Sequence, residues 1–377
     1  MHRRQLIGSL VGTGLLGALG SARAQGSGKI VLGQSAPFSG AAQALGEQFR
    51  LGAQLYFDRV NARGGIGGRL LELQSLDDGY EPERCAANTR KLIDAGVFAL
   101  FGYVGTPTSL AALPLATKAK LPFIAPFTGA EALRSPLNRY AFHVRASYFD
   151  ETTAIVRQIT SIGTQRVSVF YQNDSYGKAG LEGVVRALKP LNQAPASMGT
   201  VERNSTEVAA AVASIMAGKP DAIVQISAYK SCAAFVRAAR KAGFGGTFYN
   251  VSFVGTQALS KELGADGRGV VVSQVMPFPY REASPITGEY LAAGRAALQD
   301  KFEPNYSSIE GYVGAKVLVE ALRRPGAAAS SEALVAAMES LRELNLGGFF
   351  VDFGPNKHVG SKFVELTILS SDGKVRH

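Results

Sequence analysis

Histidine and cysteine are scarce, with four and two among 377 residues. His2, His143, His358 and His377 are too few and too scattered for a metal site, which needs several ligands converging on one point. Cys85 and Cys232 fall in helical stretches of different halves of the chain and read as free, buried thiols. Catalytic signatures are missing too: no G-x-S-x-G elbow, no G-x-x-x-x-G-K-[ST], no H-E-x-x-H and no C-x-x-C. These absences argue against an enzyme and against a bound metal or cofactor.

Nor is there a long apolar run of the kind that spans a bilayer. The best candidate, Leu6 to Leu19, is Gly-rich and falls short of the roughly 20 apolar residues a span needs. With Arg3 and Arg4 before it and Ala22-Arg23-Ala24 after it, residues 1–24 read as a cleavable signal peptide, which places the mature chain in the periplasm. Arg3-Arg4-Gln5-Leu6-Ile7 resembles a twin-arginine export motif; a general secretory signal carrying two arginines is the other reading. Gly12 to Gly17 spells G-x-G-x-x-G, but a dinucleotide fingerprint must join a strand to a helix, so inside a leader it carries no weight. The net charge of +10, less the three arginines of the leader, leaves +7. Those basic residues are scattered, without the stripe or aromatic interleaving of a nucleic-acid surface.

What is present is a repeating alternation. Ile30-Val31-Leu32 is strand-like, and Gln48 to Asn61 carries Phe49, Ala53, Tyr56 and Val60 at helical spacing until Gly64-Gly65 stops it. Strands at 70–76, 97–101 and 123–125 alternate with helices at 81–95 and 108–118. The pattern restarts after residue 146, with strands at 167–171, 222–227, 247–251 and 270–274 between helices at 177–188, 206–216 and 231–242. Helices near 285–302, 307–322 and 331–341 and strand-like 349–353 and 363–369 close the chain. This predicts an α/β protein of two doubly wound parallel-sheet lobes. The expected division is 25–145 plus 278–350 for one lobe and 146–277 plus 351–377 for the other.

Ligands of open α/β sheets sit beyond the carboxyl ends of the strands. The loops there hold Tyr103, Thr106, Phe127, Thr128, Gly129, Tyr176, Tyr229, Ser252 and Phe253. Thr106-Pro107 reads as an N-cap followed by a first-turn proline, offering free amides and a hydroxyl to a carboxylate. The aromatics at five strand ends would wall an apolar ligand body.

The order and spacing of several phrases carry a family resemblance: Gly33-Gln34-Ser35-Ala36-Pro37-Phe38-Ser39-Gly40, Val60-Asn61-Ala62-Arg63-Gly64-Gly65-Ile66, Asp77-Asp78, Tyr176-Gly177 and Ala238-Ala239-Arg240-Lys241-Ala242-Gly243. Over its whole mature length the chain resembles the leucine/isoleucine/valine-binding family of periplasmic proteins, the substrate-binding components of ABC transporters. The resemblance implies the type I periplasmic-binding fold, two lobes joined by three crossing strands, with a small-molecule ligand between them and a membrane permease as partner. It puts Thr106 at the carboxylate, Phe127 to Gly129 at main-chain contacts, and Tyr176, Tyr229 and Tyr312 along the cleft. Where the amino-acid binders hold a Glu against the ligand ammonium, this chain has Ser252; a pocket tyrosine is replaced near Leu45, and Tyr80 and Gly105 stand at the positions of the family's disulfide. The ligand is therefore an organic acid or amino-acid-like, with an amine-free carboxylate expected unless Asp174 supplies the missing negative charge. The same fold also serves as a sensing domain in signalling systems, the alternative to transport.

Overall fold

The computed structural model describes residues 28–377, so the leader expected at 1–24 lies outside the described residues. The first run is β1 (Lys29–Ala36), α1 (Gln43–Asn61), β2 (Leu70–Asp77), α2 (Pro82–Asp94), β3 (Ala99–Phe101), α3 (Thr106–Lys118), β4 (Phe123–Ile124) and β5 (Ala141–Phe142). Its strands pair in parallel in the order β2-β1-β3-β4-β5. The second run is α4 (Tyr148–Ser161), β6 (Val167–Gln172), α5 (Ser175–Leu188), β7 (Met198–Val201), α6 (Ala209–Ala217), β8 (Ala222–Ile226), α7 (Tyr229–Lys241), β9 (Thr247–Asn250), α8 (Thr256–Leu263) and β10 (Val271–Gln274). The chain then makes α9 (Pro285–Leu298), α10 (Tyr306–Leu322), α11 (Ser331–Glu339) and the small hairpin β11 (Leu344–Asn345) and β12 (Phe350–Val351). It returns to the second sheet as antiparallel β13 (Glu365–Leu369) and β14 (Val375–Arg376), giving the order β14-β13-β10-β9-β8-β6-β7.

The backbone therefore passes between the sheets three times: from β5 to α4, from β10 to α9 and from β12 to β13. The first and third passages are bound together, His143 donating its N–H to the His358 carbonyl at 2.8 Å and accepting from Gly360 N–H at 2.7 Å. The parallel strands β6, β8 and β9 are buried on both faces by the helices packed on them, which is why they read as continuous apolar runs.

The helical stripe of α1 is buried as its spacing predicts: Phe49, Ala53, Tyr56 and Val60 all face inward. It lies against α10 at close range, and two glycines permit this. A Cβ on Gly52 would stand 1.6 Å from the Ser308 carbonyl oxygen, and one on Gly311 would stand 2.0 Å from that of Phe49. At the end of β2, Asp77 and Asp78 explain the Gly33 to Gly40 phrase. Asp77 accepts from Phe38 N–H at 2.7 Å and Ser39 Oγ at 2.6 Å, and Asp78 from Ser35 Oγ at 2.7 Å. Cys85 and Cys232 are free and buried, in α2 and α7. Among the described residues no helix is long and apolar enough to cross a membrane.

Candidate functional site

The loops after β3, β4 and β5 face those after β6, β9 and β10, and the side chains between them are almost wholly buried. Aromatic rings meet from both sides. Phe253 sits 5.5 Å from Phe127, 4.7 Å from Tyr176 and 5.9 Å from Tyr80, and Tyr148 is 5.4 Å from Tyr176, all centroid to centroid. A string of hydroxyls runs beside them. Thr106 Oγ1 lies 2.6 Å from Thr128 Oγ1, which donates in turn to the Tyr148 hydroxyl at 3.4 Å. The Tyr176 hydroxyl and Ser109 Oγ are buried with no partner among the described residues. Gly129 lets the two loops touch: Tyr148 N–H donates to its carbonyl at 2.7 Å, and a Cβ there would stand 2.6 Å from the Tyr148 ring.

Thr106, Phe127, Thr128, Gly129, Tyr176 and Ser252 thus come together, as their places after strands imply. Other expectations need correction. Thr106 is not the cap of α3; Gly105 is, with φ +102°, and Thr106 and Pro107 are the first helical residues. Tyr103 turns away from the cleft, its hydroxyl 3.1 Å from that of Thr89 and its ring 4.9 Å from Phe123. Gly102, left-handed at φ +64°, turns the chain just past β3 before Val104 bridges to Phe127, and Tyr103 faces Thr89 of α2. Tyr312 is likewise elsewhere. Its ring packs on Tyr56 and Tyr290, and its hydroxyl donates to Glu289 at 3.0 Å on the outer side of α1. Tyr229, buried at the start of α7, reaches the Ala44 backbone at the entry to α1, apart from the ring cluster of Phe127, Tyr176 and Phe253.

Asp174 is also occupied. It caps α5 by accepting from Tyr176 N–H at 2.9 Å, and it binds Gln172 Nε2 at 2.6 Å and Arg203 at 3.4 Å. Arg203 continues to Glu81 of the other lobe at 2.9 Å, and Asn204 donates to Glu81 at 2.7 Å and to the Gly79 carbonyl at 3.2 Å. Gln172 donates to the Tyr80 hydroxyl at 3.3 Å. The segment 79–81 is therefore gripped from across the cleft. The Tyr80 ring lies against Gly105, so close that a Cβ there would stand 2.2 Å from it.

The charged groups of the cleft carry no local pattern in the sequence. Arg145, on the first crossing passage, is 1% exposed and lies 5.0 Å above the Phe127 ring. It pairs with Glu151 at 3.2 Å and faces Glu310 at 3.4 Å. Glu151 is saturated: it accepts from Arg145, from Ser252 N–H at 2.7 Å, from Ser252 Oγ at 3.0 Å and from Ser273 Oγ at 2.6 Å. The Ser252 hydroxyl also touches the Arg145 guanidinium. Burial pushes the Glu310 carboxyl up to about 7 against the pull of Arg145. Arg134 donates to the carbonyls of Thr128, Arg145 and Ala146 at 3.1, 3.2 and 3.3 Å and has no carboxylate within 4.0 Å among the described residues. Burial, and then the like charge of Arg145, holds it down to about 10, still a cation at neutral pH.

A model of the family described as periplasmic binding protein matches residues 29–374. The chain is 24% identical over 384 residues to Leu/Ile/Val-binding protein homolog 8 of Brucella abortus (strain 2308), covering 94% of this chain and 90% of that protein. Among solved structures it is similar to a possible leucine/isoleucine/valine-binding protein from Rhodopirellula baltica SH 1, with TM-score 0.88 and 33% identity over 93% of this chain and 96% of that one. A substrate-binding periplasmic protein from Ralstonia solanacearum superposes with TM-score 0.87 and 33% identity, covering 92% and 99%.

Proposed function

The chain belongs to the periplasmic binding protein family, and from that premise we propose that it is the exported, substrate-binding component of an ABC transporter. It takes a small carboxylate-bearing ligand between two lobes, residues 25–145 with 278–350 and 146–277 with 351–377, and presents it to a membrane permease. Thr106, Phe127, Thr128, Gly129, Tyr176 and Ser252 are its ligand contacts. One observation carries the ligand class. Buried hydroxyls and the start of α3 converge beside Arg134, a buried cation bound only to carbonyls. A buried cation with no carboxylate paired to it is costly, and an anion seated on these donors offsets that cost.

A thermal-shift panel tests this. Carboxylates with small apolar bodies should stabilise the protein, and the corresponding alcohols should not. At a hundredfold excess over the dissociation constant the gain is about 2.7 kcal/mol, a rise on the order of 5 °C. Stabilisation by alcohols or sugars with indifference to every carboxylate contradicts the reading.

A further inference from the structure

We propose that Glu310 is a specificity-determining residue of the cleft: it carries a proton when ligand is bound and so selects an amine-free carboxylate over an amino acid. The proposal rests on the reading of the cleft as a carboxylate site. Glu310 lies on α10 and lines a void of about 10 Å³ beside Phe127, Ser252, Gln274 and Met276. That is room for roughly one water or one small polar substituent. Among the described residues no hydrogen bond reaches its carboxyl group. The nearest cation is Arg145 Nη1 at 3.4 Å, and that nitrogen is itself without a hydrogen-bond partner.

The titratable groups around Glu310 are few. Arg145 faces it from the crossing passage, and Glu151 stands on the far side of Arg145, from α4. Arg134 acts from the loop after β4, and Tyr306, on Glu310's own helix, lines the same void. Ser252 and Gln274 bring no charge. Glu151 accepts from four donors, Arg145 among them, and enters the sum as the negative partner of that ion pair. Against it stand two guanidinium cations, Arg134 and Arg145. Glu131 and Asp150 also act on Arg134, but both are half-buried and screened by solvent; among the buried groups, a neutral Glu310 leaves one excess positive charge, which a monoanion cancels. With Glu310 ionised, the sum is zero and suits a zwitterion. Burial decides between them, because it favours the neutral acid and leaves the carboxyl near neutrality even beside Arg145. An incoming carboxylate pushes the same way, so its binding takes up a proton; an ammonium would expel one.

The test compares wild type with Glu310→Gln, an isosteric stand-in for the neutral acid. The probes are α-ketoisocaproate beside leucine and phenylpyruvate beside phenylalanine, titrated calorimetrically between about pH 6 and pH 8. The keto acids should bind wild type, with affinity falling roughly tenfold as pH rises across that range, since one linked proton changes affinity by up to about tenfold per unit. Glu310→Gln should bind them with a flat profile. Preference for the amino acids, with affinity rising with pH and lost in Glu310→Gln, overturns the proposal.

Unfolding without ligand gives a second readout. A carboxyl raised in the folded state lends its full stability below the unfolded value and loses it as pH climbs through about 7. Glu310→Gln should therefore match wild type near pH 5 and exceed it near pH 8. A pH-invariant difference overturns the role of Glu310 and leaves the carboxylate reading standing. Indifference to all carboxylates removes that reading, whatever the pH profile.

Discussion

Replacing Arg145 with methionine should destabilise the protein by about 3–5 kcal/mol, the usual cost of removing one partner from a buried ion pair. The guanidinium is 1% exposed and sits between two acids, Glu151 at 3.2 Å and Glu310 at 3.4 Å. Glu310 escapes the loss by keeping its proton. Glu151, held in place by Ser252 and Ser273, is left buried without its paired cation. Calorimetric unfolding should show a fall in Tm on the order of 10 °C. The double variant Arg145→Met with Glu151→Gln should recover much of that loss, because the two residues share one interaction. An Arg145→Met variant within about 1 kcal/mol of wild type would mean that the pair is not closed as described.

Gly105→Val should cost stability and binding together. Gly105 has φ +102°, where a β-branched residue is strained, and its missing Cβ leaves space for the Tyr80 ring. Strain and overpacking each cost about 1–3 kcal/mol, so a loss of roughly 3 kcal/mol is expected in denaturant unfolding. The displaced ring would also pull on Gln172 and on the segment that Arg203 and Asn204 hold. Ligand affinity should accordingly fall about a hundredfold, the equivalent of roughly 2.7 kcal/mol. Trimming the obstruction with Tyr80→Ala in the same chain should return part of the stability. A Gly105→Val protein with wild-type stability and affinity would refute this account of the packing of Tyr80 on Gly105.

The elements legible in the sequence were those whose burial is periodic or continuous. The α1 stripe and the Val- and Ile-rich strands β6 and β8 announce themselves, because a helix face and a doubly covered strand each impose a pattern. β5 escapes because two residues cannot show a period. The helix α4 does carry a local signal, the Ser147 to Asp150 capping box, but with Asp rather than the Glu or Gln that usually marks such a box. β7 alternates exposed and buried positions over four residues only, too short to stand out.

For the site, position after a strand was enough to gather Thr106, Phe127, Thr128, Tyr176 and Ser252. It could not say which face of the chain a residue takes, hence Tyr103. The charge network is legible only in three dimensions. Arg145, Glu151 and Glu310 come from a crossing passage, a helix of one lobe and a helix packed on the other, and nothing local ties them together. Ser252 was visible as a residue after a strand, and its partner was not: its N–H and hydroxyl hold Glu151.

The central claim is that this chain holds one small carboxylate between its lobes. Native mass spectrometry of the protein isolated from the periplasm, followed by denaturation and fragmentation of what is released, tests it most directly. The account predicts one small molecule per chain, detected as an anion that loses carbon dioxide on fragmentation. A released ligand with no carboxyl group would contradict it.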